Sequence, residues 1–325
     1  MRIPACLIGE DLDVKRGLFL EDERVFEERE VGKEIERVIM PSFFNSHVHL
    51  MDSITLAPKM SLEELVGPEG YKFKILAETK DENLIKANRK AIHFALKNGT
   101  TGMADFREMG ARGLRILQLA DNLGTVLALA RPGSIKEAKS ILKLGIEGFG
   151  MSSVRDHDYG FLEELREVAK RNRIYFGIHA GERDGGDVER ALALEPDFIV
   201  HMNQASPTSL RTAIDEMIPI ISCIRSNFFF GLENRNNYLI LSEYEKWGIG
   251  TDNAMVATPS ILDEIKFTSH LLPAKNLLKA AFFGFKLFRV QKKWIVLEIP
   301  ALNPIDSVVR GYCRILGVLD TLKIE

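Results

Sequence analysis

The chain has 325 residues, 46% hydrophobic and 27% charged, with a formal net charge of −3 and a sequence pI near 6.2. That length buries a large core and suits one large domain with an appendage, or two domains. The mild acidity leaves no electrostatic footprint for nucleic acid. Three widely spaced cysteines, Cys6, Cys223 and Cys313, form neither a disulfide framework nor a zinc ribbon, and no apolar run reaches the roughly 18 residues of a membrane helix.

In chain order, residues 1–38 alternate in period 2 with charged turns ("GLFLEDERVFEE"). The opening "MRIPACLIGEDLD" meets acidic residues too early for a signal peptide, so a cytoplasmic protein is expected. Short β-type runs then recur near 38–48, 100–106, 125–130, 148–153, 174–179, 197–202, 218–223 and 247–251. Amphipathic stretches lie between them. The clearest is "DENLIKANRKAIHFALKNG", with Leu84, Ala87, Ala91, Ala95 and Leu96 on one stripe and Gly99 as C-cap. Residues 290–325 return to period 2 ("KKWIVLEIP", "VVRGYCRILGVL").

Eight strands alternating with helices predict an α/β fold, a (β/α)₈ TIM barrel over 39–289. The two ends, 1–38 and 290–325, are each too short for a domain and are expected to pair into one small β-sandwich. A doubly wound open sheet is the alternative, but it would want a Gly-rich phosphate loop after the first strand, and none is present.

In "PSFFNSHVHLMD", His47 and His49 are two apart, which on a strand puts both on one face at the barrel's C-terminal end. Alone, that pair reads as ordinary core or surface histidines. The other strand ends change the balance. His179 and Glu182 end the fifth strand in "YFGIHAGE", His201 ends the sixth in "DFIVHMNQ", and Asp252 ends the eighth in "WGIGTDNA". Neutral imidazoles with a carboxylate suit zinc or iron(II), with coordination positions left open. His93 and His270 read as packing or surface residues, and His157 as either pocket or solvated loop.

These motifs resemble the amidohydrolase superfamily over nearly the whole chain, in the branch of cytosine, guanine and S-adenosylhomocysteine deaminases and triazine hydrolases. "MPSFFNSHVHL", "NGTTGMADF", "HAGE", "VHMN" and "GIGTDN" match its strand motifs, and "ISCIRSN" does so with Ile224 where proline is usual. The Gly-rich link into the last sandwich strands is missing, and "EGFGMSSV" has no Lys to bridge two metals. The resemblance therefore implies one divalent ion, Zn²⁺ or Fe²⁺, held by His47, His49, His179 and Asp252. It implies Asp252 as proton acceptor for the attacking water, Glu182 as proton donor and His201 as hydrogen-bond donor. It also implies a homo-oligomer acting on a small molecule, and the charge and the lack of a long apolar run lead us to expect no nucleic-acid or membrane partner.

A hydrolytic deaminase of a nitrogen heterocycle is the expected function. Alternatives are a hydrolase releasing an amine or halide, and a catalytically silent scaffold. Arg107, Arg131, Arg155 and Arg225 all fall at predicted strand ends, and at least one of them is expected to hold an anionic group of the substrate.

Overall fold

The computed structural model describes residues 1–325 apart from 33, 34, 36, 68, 301 and 302. β1 (Arg2–Ile8), β2 (Val14–Leu20) and β3 (Val25–Glu28) form an antiparallel meander, and β4 (Arg37–Pro41) runs parallel beside β1. Then follow β5 (Phe43–His49), β6 (Thr100–Arg107), β7 (Val126–Ala130), β8 (Gly148–Met151) and β9 (Tyr175–Ala180). β10 (Phe198–His201), β11 (Ile220–Ser222), β12 (Trp247–Ile249) and β13 (Asp252–Asn253) continue that series. β14 (Trp294–Glu298), β15 (Arg314–Leu319) and β16 (Lys323–Ile324) close the chain.

Nine strands, in the order β12-β11-β10-β9-β8-β7-β6-β5-β13, make one sheet, all of whose pairings are parallel. Its end members, β12 and β13, lie on the single stretch 247–253, so the sheet curls round on itself. Strand order follows chain order, without the reversal of a doubly wound sheet. Alternate side chains explain the two cores. Phe44, Phe106, Leu129 and Phe198 join Phe283, Phe285 and Phe288 in one cluster, while Phe43, Met103, Phe149 and Ile178 pack in the larger one with helical residues.

The helix Asp81–Lys97 matches its expected stripe, burying Leu84, Ala91 and Ala95 together with Asn88 and Ile92. Acids open it and Lys97 closes it, as the helix dipole favours. Gly99, at φ +77°, turns the chain out of the helix.

The other seven strands form a second sheet, β15-β14-β4-β1-β2-β3-β16, drawn from both chain ends. One face gathers Ala5, Leu7, Phe19, Phe26, Ile39 and Val296, and the other sends Cys6, Ile8, Val38, Met40 and Ile295 into the main core. Two expectations change here. The strand expected over 38–48 is two strands. At Ser42 the chain leaves the terminal sheet, where Pro41 pairs with Trp294, and enters the curled one, where the Phe43 amide donates to Gly99 O at 2.8 Å. Within 290–325, the period-2 reading missed a helix, Pro304–Val309, with Pro at its start and Asn303 as N-cap.

Candidate metal centre and its pocket

The first strand carries its two histidines past an irregularity. Phe44 belongs to the interior cluster, and His47 lies 4.4 Å from the ring of Phe106 in that same cluster. Residues three apart on an unbroken strand face opposite ways, so a register shift between Asn45 and Val48 absorbs the odd residue. Buried Asn45 secures the distortion. Its Nδ2 donates to Thr251 Oγ1 (2.7 Å) and Pro259 O (3.2 Å), and its Oδ1 accepts from the Thr251 amide (3.1 Å). Gly250 lets the two segments touch, because a Cβ there would sit 2.6 Å from His47 O. His201 (φ +80°) and Asp252 (φ +59°) are both left-handed, a backbone conformation that costs non-glycine residues free energy and that the surrounding contacts maintain.

One acceptor atom each from His47, His49, His179 and Asp252 converges, all four within 4.8 Å of one another. His179 Nδ1 donates to Met151 O at 2.7 Å, which leaves Nε2 a bare lone pair, 3.2 Å from His47 Nε2. His49 Nδ1 lies 3.1 Å from Phe106 O and 2.9 Å from Glu108 Oε1, so its Nε2 likewise presents a lone pair, 3.5 Å from Asp252 Oδ1. His47 Nε2 stands among these acceptors, 3.3 Å from Asp252 Oδ1, where a proton on it, or a cation in the proton's place, offsets the crowding of lone pairs. Burial pushes His47 down to about 3 and His179 well below its ordinary value, so both rings are neutral ligands. Burial would raise Asp252, but the His47 contact and the neighbouring imidazoles hold it well below the usual carboxylate range. Three imidazoles and one carboxylate, with the outer nitrogens of His49 and His179 facing backbone carbonyls, fit a divalent cation such as zinc.

Beside this group, Glu182, His201 and Asp252 form a second cluster. Asn227 Nδ2 lies 3.3 Å from His201 Nδ1, and Tyr238 OH donates to Asn227 Oδ1 at 3.0 Å. Because the tyrosine occupies the amide oxygen, Asn227 is a donor toward His201. Neutral His201 therefore carries its proton on Nε2, 3.5 Å from Glu182 Oε2. Burial, and then the Asp252 carboxylate, push the Glu182 carboxyl well above its ordinary value. Ser226 Oγ donates to Asp252 Oδ2 at 2.5 Å, aiming the other oxygen at the histidines.

A cavity of about 470 Å³ opens over these groups, walled by Leu62, Val66, Phe73, Met109, Pro132 and Phe230. The four expected arginines part company here. Arg131 and Arg155 line the cavity. Arg107 is fully buried away from it, paired with Asp105 and donating to Asn88 Oδ1 at 3.1 Å. Arg225 is spent on Glu264 (2.6 Å) and the carbonyls of Thr258 and Ser260. Both point away because each meets a buried acceptor close by, a competition that strand-end position does not reveal. His157 lines the cavity, bonded to Ser152 Oγ at 2.9 Å, whereas His93 and His270 are exposed.

Sequence reasoning missed Lys72, which is 2% exposed and reaches Glu108 at 2.6 Å and Asp52 at 2.8 Å under His49. It also left Ser226 and Asn227 without roles, although both stand in the quoted "ISCIRSN".

Residues 38–290 match the model of the amidohydrolase family. The chain belongs to that family. A relative of this amidohydrolase from Archaeoglobus fulgidus, which carries a provisional aminohydrolase name, is 45% identical over 287 residues, covering 88% of this chain and 84% of that protein. Among solved structures, Helicobacter pylori aminofutalosine deaminase aligns with a TM-score of 0.73 at 15% identity, covering 98% of both chains. Zinc-complexed atrazine chlorohydrolase from Arthrobacter aurescens aligns at 0.76 and 12% identity, covering 98% of the amidohydrolase and 92% of that enzyme. At such identities these likenesses establish the fold of the amidohydrolase.

Proposed function

We propose that the protein is a hydrolytic deaminase, acting on an amino-substituted nitrogen heterocycle and using one divalent metal ion. The reading takes the curled sheet as a closed (β/α)₈ barrel and the terminal sheet as a small β-sandwich beside it. The observation that carries it is the pairing of two clusters at one opening: a four-atom ligand group, and the Glu182–His201 pair sharing Asp252 with it. The aminohydrolase name of the Archaeoglobus relative supports the same chemistry.

His47, His49, His179 and Asp252 would hold the ion, which when bound would supply Lewis acidity and lower the pKa of water to about 7. Asp252, fixed through one oxygen by Ser226, takes the proton of the attacking water. As the C–O bond forms, His201 Nε2–H donates to the developing negative charge on oxygen. Glu182, its carboxyl raised by burial, gives its proton to the ring nitrogen beside the attacked carbon and takes the hydroxyl proton back as the carbonyl forms, while Asp252 passes the water proton to the departing amino group. Water and the amino compound thus become a carbonyl compound and ammonia.

The test is ammonia release from a panel of purines, pyrimidines, pterins and their nucleosides by zinc- and iron(II)-loaded protein. Release that disappears in Glu182→Gln supports the reading. Failure on the whole panel, with amine or halide release from substituted triazines instead, would replace deamination with the related displacement chemistry.

A further inference from the structure

The cavity also sorts its cations. Lys72 faces two carboxylates, Asp52 and Glu108. Arg155 forms a two-pronged pair with Asp184, and Arg183 lies beside Asp184 and Glu63 at 3.5 and 3.6 Å. Arg131 differs. Its Nε donates to Gly150 O at 3.3 Å, and its nearest carboxylate, Glu108 Oε1, is 3.7 Å from Nη1, beyond hydrogen-bond distance. That oxygen already serves Lys72 and lies 2.9 Å from His49 Nδ1. Among the described residues lining the cavity, Arg131 and Arg183 are the cations whose terminal nitrogens lack a hydrogen-bond acceptor, and Arg131 is the sheltered one of the two, Arg183 being 56% exposed. The Arg131 side chain is 17% exposed, so its terminal nitrogens face the cavity and a ligand entering there can reach them.

A guanidinium keeps its charge at any physiological pH, and its parallel N–H groups match a carboxylate. A carboxylate meeting them would gain charge-assisted hydrogen bonds that the protein itself does not supply. Arg131 stands on the same wall as the Ser152–His157 pair and close enough to His179 to depress it. A group gripped there is carried by the same molecule whose reacting carbon lies at the metal-ligand cluster.

We propose that Arg131 is the specificity residue for a carboxylate on the substrate, set apart from the reacting carbon. The ligand class is an aromatic heterocyclic amine bearing one carboxylate. One guanidinium that pairs with Glu108 only at 3.7 Å, without a hydrogen bond to it, suits a single carboxylate, and Glu108 and Asp156 oppose a dianion such as phosphate. The proposal rests on the deaminase reading only for the fate of the far end of the molecule.

Its test is a binding measurement on the zinc-loaded full chain, by saturation-transfer NMR with benzoate, the neutral isostere benzamide and inorganic phosphate. Benzoate is expected to bind at least 10-fold more tightly than benzamide. That margin is lost in Arg131→Met and reduced in Arg131→Lys, which keeps the charge without the fork. It survives in His47→Ala, which tests whether the carboxylate merely ligates the metal. The proposal is overturned if benzamide matches benzoate, or if the margin vanishes in His47→Ala. It is also overturned if phosphate binds more tightly than benzoate, or if Arg131→Met binds benzoate as the parent does. Should Arg131→Met not fold, unchanged benzoate affinity in Arg131→Lys overturns it equally. No turnover is required, so a chain that deaminates nothing yet grips benzoate through Arg131 defeats the deaminase reading and leaves this one standing.

Discussion

Asn227 decides which ring nitrogen of His201 carries the proton. With Tyr238 donating to its amide oxygen at 3.0 Å, it has only its NH₂ to offer His201 Nδ1. Asn227→Ala should therefore lower kcat about 10- to 100-fold at unchanged zinc content, the range for partners that orient a ligand or catalytic ring. Equal zinc and equal kcat would show that the tautomer is set elsewhere. Glu182→Gln keeps the shape and loses the proton, and should cost about 10²- to 10⁴-fold in kcat with metal retained. His47→Ala removes a ligand outright, so elemental analysis should find the metal gone. The parent should carry one ion per chain, and two tightly held ions would refute the single site. The convergence of His47, His49, His179 and Asp252, and of Glu182 with His201, was legible because strand ends expose alternate side chains, whereas Asn227 carried no such signal. Arg107 and Arg225 misled for the same reason, since strand-end position fixes where a side chain starts and not which buried acceptor it meets.

Among the elements, the short helix Tyr71–Glu78 supplies the largest surprise, because its Lys72 is buried against Asp52 and Glu108. No sequence pattern predicts that meeting. Asp52 follows the first strand of the curled sheet, Glu108 follows the second, and Lys72 comes from the segment between, so only the packed fold brings them together. Burial alone would discharge Lys72, but the two acids hold its pKa above the ordinary lysine value. Lys72→Met would leave both acids without their cation and should cost about 3–5 kcal/mol in denaturant unfolding. A loss under about 1 kcal/mol would mean that water already shields the pair. The eighth strand was easier to read, yet the reason for "GIGTDN" lay in contact rather than turn preference. Gly250→Ala should cost about 1–3 kcal/mol as the new methyl meets the backbone of His47, read as a lower midpoint at unchanged slope.

For the whole molecule, the alternation of strands and helices revealed the parallel sheet, since each amphipathic stretch must cover a strand pair. It did not reveal where the chain changes sheets, because Pro41, Ser42 and Phe43 sit within one apolar run and only their hydrogen-bond partners differ. A metal bound by the folded chain and ignored by the unfolded one should raise the melting temperature as zinc is added. A midpoint indifferent to zinc would mean no folded-state site. The composite terminal sheet has a further consequence, and it concerns time. β4 pairs with β14, roughly 250 residues later, which at 5–20 residues per second is on the order of 10–50 s of synthesis. Throughout that interval the nascent chain presents the apolar edge of Val38, Ile39 and Met40 to its surroundings with no strand to cover it. Ribosome pausing between residues 41 and 294 should therefore favour aggregation, and pausing beyond β14 should not, with chaperone occupancy of the N-terminal segment ending only as β14 emerges.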